Sequence, residues 1–239
     1  MITLLLRVKG NDMSFSYFDA INLIEQLPCF NSQKCDLNLH SYRNLIIKPL
    51  VEICHKYPYD FNFTYSVGTT KLVLFFDANF VVKIPLRGYN TNADFLFAGG
   101  AGSTWNYCSV EAELYAKAKA ENISQFFAET YLLAEIGESK YPIYIQEKVN
   151  DFWDYYYYTP ITCPAKNAKE INEICTKLQL DTLLRREWLN DVLKKSNKNI
   201  LTKFLFFVKE NSINDLHEDN IGWTMSGMPV LFDFSGFSE

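Results

Sequence analysis

The sequence predicts an α+β protein, and three observations predict it. Apolar residues recur at helical spacing in the first 56 residues. β-rich runs then crowd residues 61–149. Beyond Asn150 the pattern turns mainly helical, before a last strand-like run at residues 229–234.

With 239 residues, the chain has room for one large domain or two small lobes sharing a cleft. At 48% hydrophobic and 16% aromatic it can bury a substantial core, which excludes wholesale disorder. A formal net charge of -5 is the wrong sign for a nucleic-acid footprint, so no nucleic-acid partner is expected. The six cysteines form no CxxC pair and no zinc-like spacing with histidine. The opening MITLLLRVKG lacks the basic segment and apolar length of a secretory signal, and no apolar run approaches the ~20 residues of a membrane span. The expectation is a cytoplasmic protein with reduced thiols and no membrane partner.

Taken in order, residues 14–27 read as a helix stopped by Pro28, and residues 41–56 as a second helix kinked at Pro49. Residues 61–68, 69–77 and 79–85 read as a three-stranded antiparallel meander, with Asp77, Ala78 and Asn79 in a tight turn. Glycines and asparagines make residues 87–104 a loop. Residues 105–121 read as a helix, 126–136 and 141–149 as two more strands. Residues 151–158, DFWDYYYY, read as a short helix or a lid. Residues 168–195 give one or two polar helices, and 199–210 a buried one. A loop at 214–220, a strand at 221–224, a Ser226-Gly227 turn and the run PVLFDF complete the chain.

The chemistry-bearing residues lie near the end. The loop reads NDLHEDN, with Asp215 and Asn220 five apart, and Asp233 follows a strand in FDFSG. An Asp and an Asn at that spacing recur by chance. Leu216, the strand after Asn220 and the second Asp make the combination more specific. Upstream, Lys83 ends the strand FVVK, and Glu111 and Glu113 lie on the Ala-rich helix.

In this order the residues resemble the protein-kinase-like superfamily, from about Tyr65 to Gly236. The resemblance implies a two-lobe fold: an N-terminal helical extension at 1–58, an antiparallel β N-lobe with one helix at 59–149, and a reduced helical C-lobe at 150–239. It also implies Mg-ATP in the cleft between lobes. Lys83 would contact the nucleotide phosphates, which suits a compact ammonium. Glu111 would fix that lysine, and is preferred to Glu113 because Leu114 and Tyr115 then take the apolar positions three and four later. Asp215 would orient the acceptor hydroxyl, and Asn220 and Asp233 would hold magnesium. His217, two past Asp215, would stabilise phosphate charge or hydrogen-bond the loop. Backbone groups of Glu147 and Val149 would bind adenine, with Gln146 guarding the back of the pocket.

The sequence departs from the family in three places. Only Gly68 stands where a Gly-rich loop is expected, so Gly68 and Thr69, with Thr70 or Lys71, are the groups at hand to stand in. Asn214 replaces the Arg that usually precedes the loop Asp, and Ser235 the glycine after D-F. The sequence ends at Glu239. The expectation is therefore a minimal atypical member without an activation segment or the helices beyond it. Three functions are open: a phosphotransferase acting on a protein or small molecule, a pseudokinase or nucleotide-binding module, and a nucleotidyl transferase on the same fold.

Overall fold

A computed structural model describes residues 15–32, 35–56, 63–68, 70–76, 78–86, 106–152, 162–180, 185–213 and 216–234. Thr69, Asp215, Ser235, Gly236, the loop 87–104 and most of 151–158 lie outside the described residues. The chain is α+β, with a five-stranded antiparallel sheet, a three-stranded sheet and six α-helices among the described residues.

Helix α1 (Tyr17–Glu25) opens on a capping box: the Ser16 hydroxyl accepts from Asp19 N–H at 3.3 Å, and the Asp19 carboxylate accepts from Ser16 N–H at 2.8 Å. After a 3-10 turn at Pro28–Asn31, a wide π turn (Arg43–Ile47) runs into α2 (Lys48–Cys54). Pro49 sits in the first turn of α2, where its missing N–H is tolerated. The widened turn before it relieves the clash between the proline ring and the preceding carbonyls.

Strands β1 (Phe63–Val67), β2 (Lys71–Phe76) and β3 (Phe80–Pro85) form the expected meander. Helix α3 (Tyr107–Ala120) follows, capped by the Asn106 side chain accepting from Ser109 N–H at 3.1 Å. Strands β4 (Thr130–Ile136) and β5 (Tyr141–Glu147) complete the sheet in the order β1-β2-β3-β5-β4. Strand β4 starts later than its sequence suggests. Phe126 and Phe127 turn away into the helical core, where Phe127 packs edge-on against Phe207 and Phe234.

The run YPIYIQEKV does not continue as one strand. The chain leaves the first sheet after Glu147, and Val149–Asp151 becomes β6 of the second sheet. Lys148 N–H marks the crossing by donating to Asn79 O at 3.0 Å. Helices α4 (Ala165–Leu178), α5 (Arg186–Lys195) and α6 (Lys198–Glu210) then pack around Trp188, Phe204 and Trp223. The β7 (Ile221–Thr224) and β8 (Pro229–Leu231) hairpin lies beside β6. Gly222 permits this, because a Cβ there would lie 2.2 Å from Asn150 O.

Two apolar cores result. One belongs to the helical half. The other joins the N-terminal helices to one face of the large sheet: Leu23, Ile24 and Leu50 against Leu72, Leu74, Val82, Ile84 and Ile143. No helix among the described residues is long and apolar enough to cross a membrane.

Candidate functional site

The opposite face of the large sheet holds the polar cluster. Strand alternation sends Leu72, Leu74 and Phe76 of β2 into the outer core, and so sends Lys71, Val73 and Phe75 the other way. On β3, Phe80, Val82 and Ile84 face the outer core, and Val81 and Lys83 face inward. On β5, Ile143 and Ile145 go outward and Gln146 inward. The inner residues line a cleft of about 420 Å³ that is closed from the other side by Val149, Asp151, Asp219 and Asp233. That is the size range of small-molecule sites.

Glu111 lies at the back of this cleft, fully buried. Helix α3 buries Tyr107, Cys108, Glu111, Leu114, Tyr115 and Ala118, one stripe at helical spacing, and Glu111 is the acid within it. One carboxylate oxygen accepts from Lys83 Nζ at 2.6 Å, and the other accepts from Lys71 Nζ. Glu113 is exposed, so the pair is Lys83–Glu111. A buried carboxylate is costly without partners, and here two ammonium groups share it.

Both lysines reach on to the segment around Asp233. Lys71 Nζ donates to Asp233 Oδ1 at 2.6 Å, and Lys83 Nζ donates to Phe232 O at 2.9 Å. The same carbonyl accepts from Gln146 Nε2 at 2.8 Å, and that amide also donates to Thr130 Oγ1 at 2.8 Å. Phe232 N–H donates to Asn220 O at 3.0 Å. These contacts explain why PVLFDF pairs as a strand only through Leu231. They also set Asn220 and Asp233 at the same end of the β7–β8 hairpin.

Charge states follow from this packing. Burial works against the Lys71 charge, but Glu111 and Asp233 outweigh it and hold the ammonium above its ordinary range. Burial pushes the Asp233 carboxyl up, and Lys71 and Lys83 more than reverse it, leaving it below the usual carboxylate range. Cys108 lies one helical turn before Glu111. Burial, with Glu111 adding to it, pushes its thiol up to about 12.

The other expected residues are placed as follows. Gly68, Glu147 and Val149 line the cleft. Glu147 N–H is already given to Glu129 O at 2.9 Å. Asn220 is buried, and its amide nitrogen lies 3.2 Å from His217 Nε2. His217 Nδ1 accepts from Asp219 N–H at 3.2 Å, capping the 3-10 turn Glu218–Asn220. Of the two roles expected for His217, this geometry serves the loop. Glu218 pairs with Arg185 at 3.0 Å, while Asp219 lines the cleft with its side chain still 69% exposed. Asp215 lies outside the described residues. Its neighbours Ile213 and Leu216 are buried in the helical core.

Lys71 is the residue that sequence reasoning valued least. The signal was present in strand alternation: it shares a face with Val73, which is paired across the strands with Lys83.

No family model matches the chain, and no curated protein matches it.

Proposed function

We propose that the cleft binds ATP with magnesium, and that the chain is a kinase-like phosphotransferase acting on a hydroxyl acceptor. One observation carries this reading: Lys83 and Glu111 form a buried 2.6 Å ion pair at the back of a cleft that Asp233 enters from the other side. A lysine held in this way is a preorganised phosphate ligand, because its desolvation and orientation precede binding.

Lys83 spends two N–H groups on Glu111 and Phe232 O, and its third can meet a phosphate oxygen. Glu111 keeps the ammonium from swinging away. Gln146 and Lys83 together fix the Phe232 carbonyl, and so the start of the Asp233 side chain. Asp233 and Asn220 would hold magnesium. Their oxygen donors suit that ion, which is commonly bound by one or two carboxylates plus phosphates rather than by a protein cage. When bound, the ion would supply charge neutralisation for the transferring phosphoryl group. Asp215 would orient the acceptor hydroxyl.

The Lys71–Asp233 pair favours a second reading, a nucleotide-binding module without turnover, because the carboxylate already has a cation. Incubation with magnesium and ATP labelled at the γ or α phosphate separates the possibilities. Acceptor label from the γ position is the expected result. Label from α instead means nucleotidyl transfer, and saturable binding with neither label means a binding module. Asp233→Asn is expected to remove γ transfer, and full transfer by that variant would sink the site assignment.

A further inference from the structure

The family that the sequence resembles needs one lysine in this place, and the cleft has two. Lys71 and Lys83 flank a single carboxylate, one on each oxygen of Glu111. Their side chains are only 7% and 4% exposed, so neither is a surface lysine that has folded inward by chance of rotamer. Both line the cleft. Lys71 gives one N–H to Glu111 and one to Asp233, and like Lys83 it keeps a third. The result is two ammonium groups held by one acid, each with a donor left for an anion.

The position of Lys71 on Asp233 adds a second consequence. Its Nζ lies 2.6 Å from Oδ1, one of the two oxygens through which Asp233 would meet a divalent ion at ~2.1 Å. An ammonium and a divalent cation cannot share that oxygen without strong repulsion. Within the cluster the two lysines balance Glu111 and Asp233, while Glu147, Asp151 and Asp219 line the rest of the cleft.

We propose, resting on the nucleotide reading above, that Lys71 is a built-in cation of this site. It neutralises Asp233 while no divalent ion is bound, and with Lys83 it clamps the nucleotide phosphates from the side where the Gly-rich backbone is missing. The cleft then binds ATP without added metal, and a divalent ion at Asp233 competes with Lys71 for the carboxylate.

The test is ATP binding by calorimetry to the full chain, in magnesium and in EDTA. Wild type is expected to bind in EDTA within about tenfold of its affinity in magnesium. Lys71→Met is expected to weaken binding in EDTA by about tenfold or more, as loss of a charge-assisted hydrogen bond would. In magnesium the loss is expected to be smaller, because the ion gains an unobstructed Asp233. Lys71→Arg keeps the charge and is expected to retain binding in EDTA. A thermal melt identifies any variant that has not folded.

Wild-type binding abolished by EDTA overturns the proposal without need of any variant, and leaves the nucleotide reading intact. So does a folded Lys71→Met that binds as wild type in EDTA. Failure of wild type to bind ATP under either condition overturns the nucleotide reading itself.

Discussion

On its outer face the five-stranded sheet presents Leu72, Leu74, Phe76, Val82, Ile84, Ile143 and Ile145, sealed under α1 and α2. On its inner face the same three strands present Lys71, Val73, Lys83 and Gln146 to the cleft. The two sets alternate along β2, β3 and β5, so neighbouring residues do opposite work. Outer residues are stabilised by leaving water, at roughly 25 cal/mol per Å² of apolar surface. Inner residues lose hydration for little net gain, since buried ion pairs often do no better than apolar replacements. What the contrast teaches is that stability and ligand recognition are separable at single-residue spacing.

The largest expected effect breaks the inner face. Glu111→Ala strands two buried ammonium groups with one partly exposed carboxylate, and is expected to cost about 3–5 kcal/mol in urea unfolding. The paired control is Glu111→Leu combined with Lys71→Met and Lys83→Met, which gives the inner face the chemistry of the outer one. Its stability is expected to return to within about 2 kcal/mol of wild type while ATP binding is lost. A triple variant as unstable as Glu111→Ala would mean that the cluster is a structural keystone rather than a site held at the expense of stability.

A smaller effect is expected from the outer face. Leu74→Ala opens a cavity in a fully buried position and is expected to cost about 2–4 kcal/mol. Ligand affinity of the folded variant is expected to stay within about threefold of wild type. A larger change in affinity would show that the outer core sets the inner geometry, and the two faces would no longer be separable.

How far the two faces were legible differs for a physical reason. Local periodicity announced the helices, the meander and the last hairpin. Glu111 was preferred to Glu113 because Leu114 and Tyr115 then take the apolar positions three and four later, and its lysine partner came from the family resemblance. The place of Lys83 at a strand end by itself favours a solvated lysine, and its role was expected only through the family resemblance. Lys71 was undervalued because its role depends on register: only pairing Val73 with Lys83 puts the two lysines diagonally on one face. The break at Lys148 and the early end of β8 were hidden for the same reason. Both arise where backbone groups are taken by partners distant in sequence, Asn79 O in one case and the Lys83 and Gln146 side chains in the other. Docking of α1 and α2 onto the sheet is likewise a long-range apolar match, of which each segment carries only half.

The smallest effect sharpens the contrast through pH, because the outer-face residues named above carry no ionisable group. Asp233 is held below the usual carboxylate range chiefly by Lys71 acting against burial. Its pair therefore adds stability that is complete above the unfolded value near pH 4 and is lost as pH falls through the lower folded value. Lys71 is held above its ordinary range, so its own contribution persists through neutral pH and fades only in strong alkali. Asp233→Asn removes the acid limb alone. The stability of wild type minus that of the variant is expected to be level from about pH 7 to pH 5, and then to fall by about 1 kcal/mol toward pH 2. The figure is small because the Asp233 side chain is 35% exposed and partly screened by water. A Leu74→Ala difference measured over the same range should stay flat. If the Asp233 difference stayed flat as well, Lys71 would not be its partner in solution, and the inner face would lose the one feature that makes it more than a buried pair of charges.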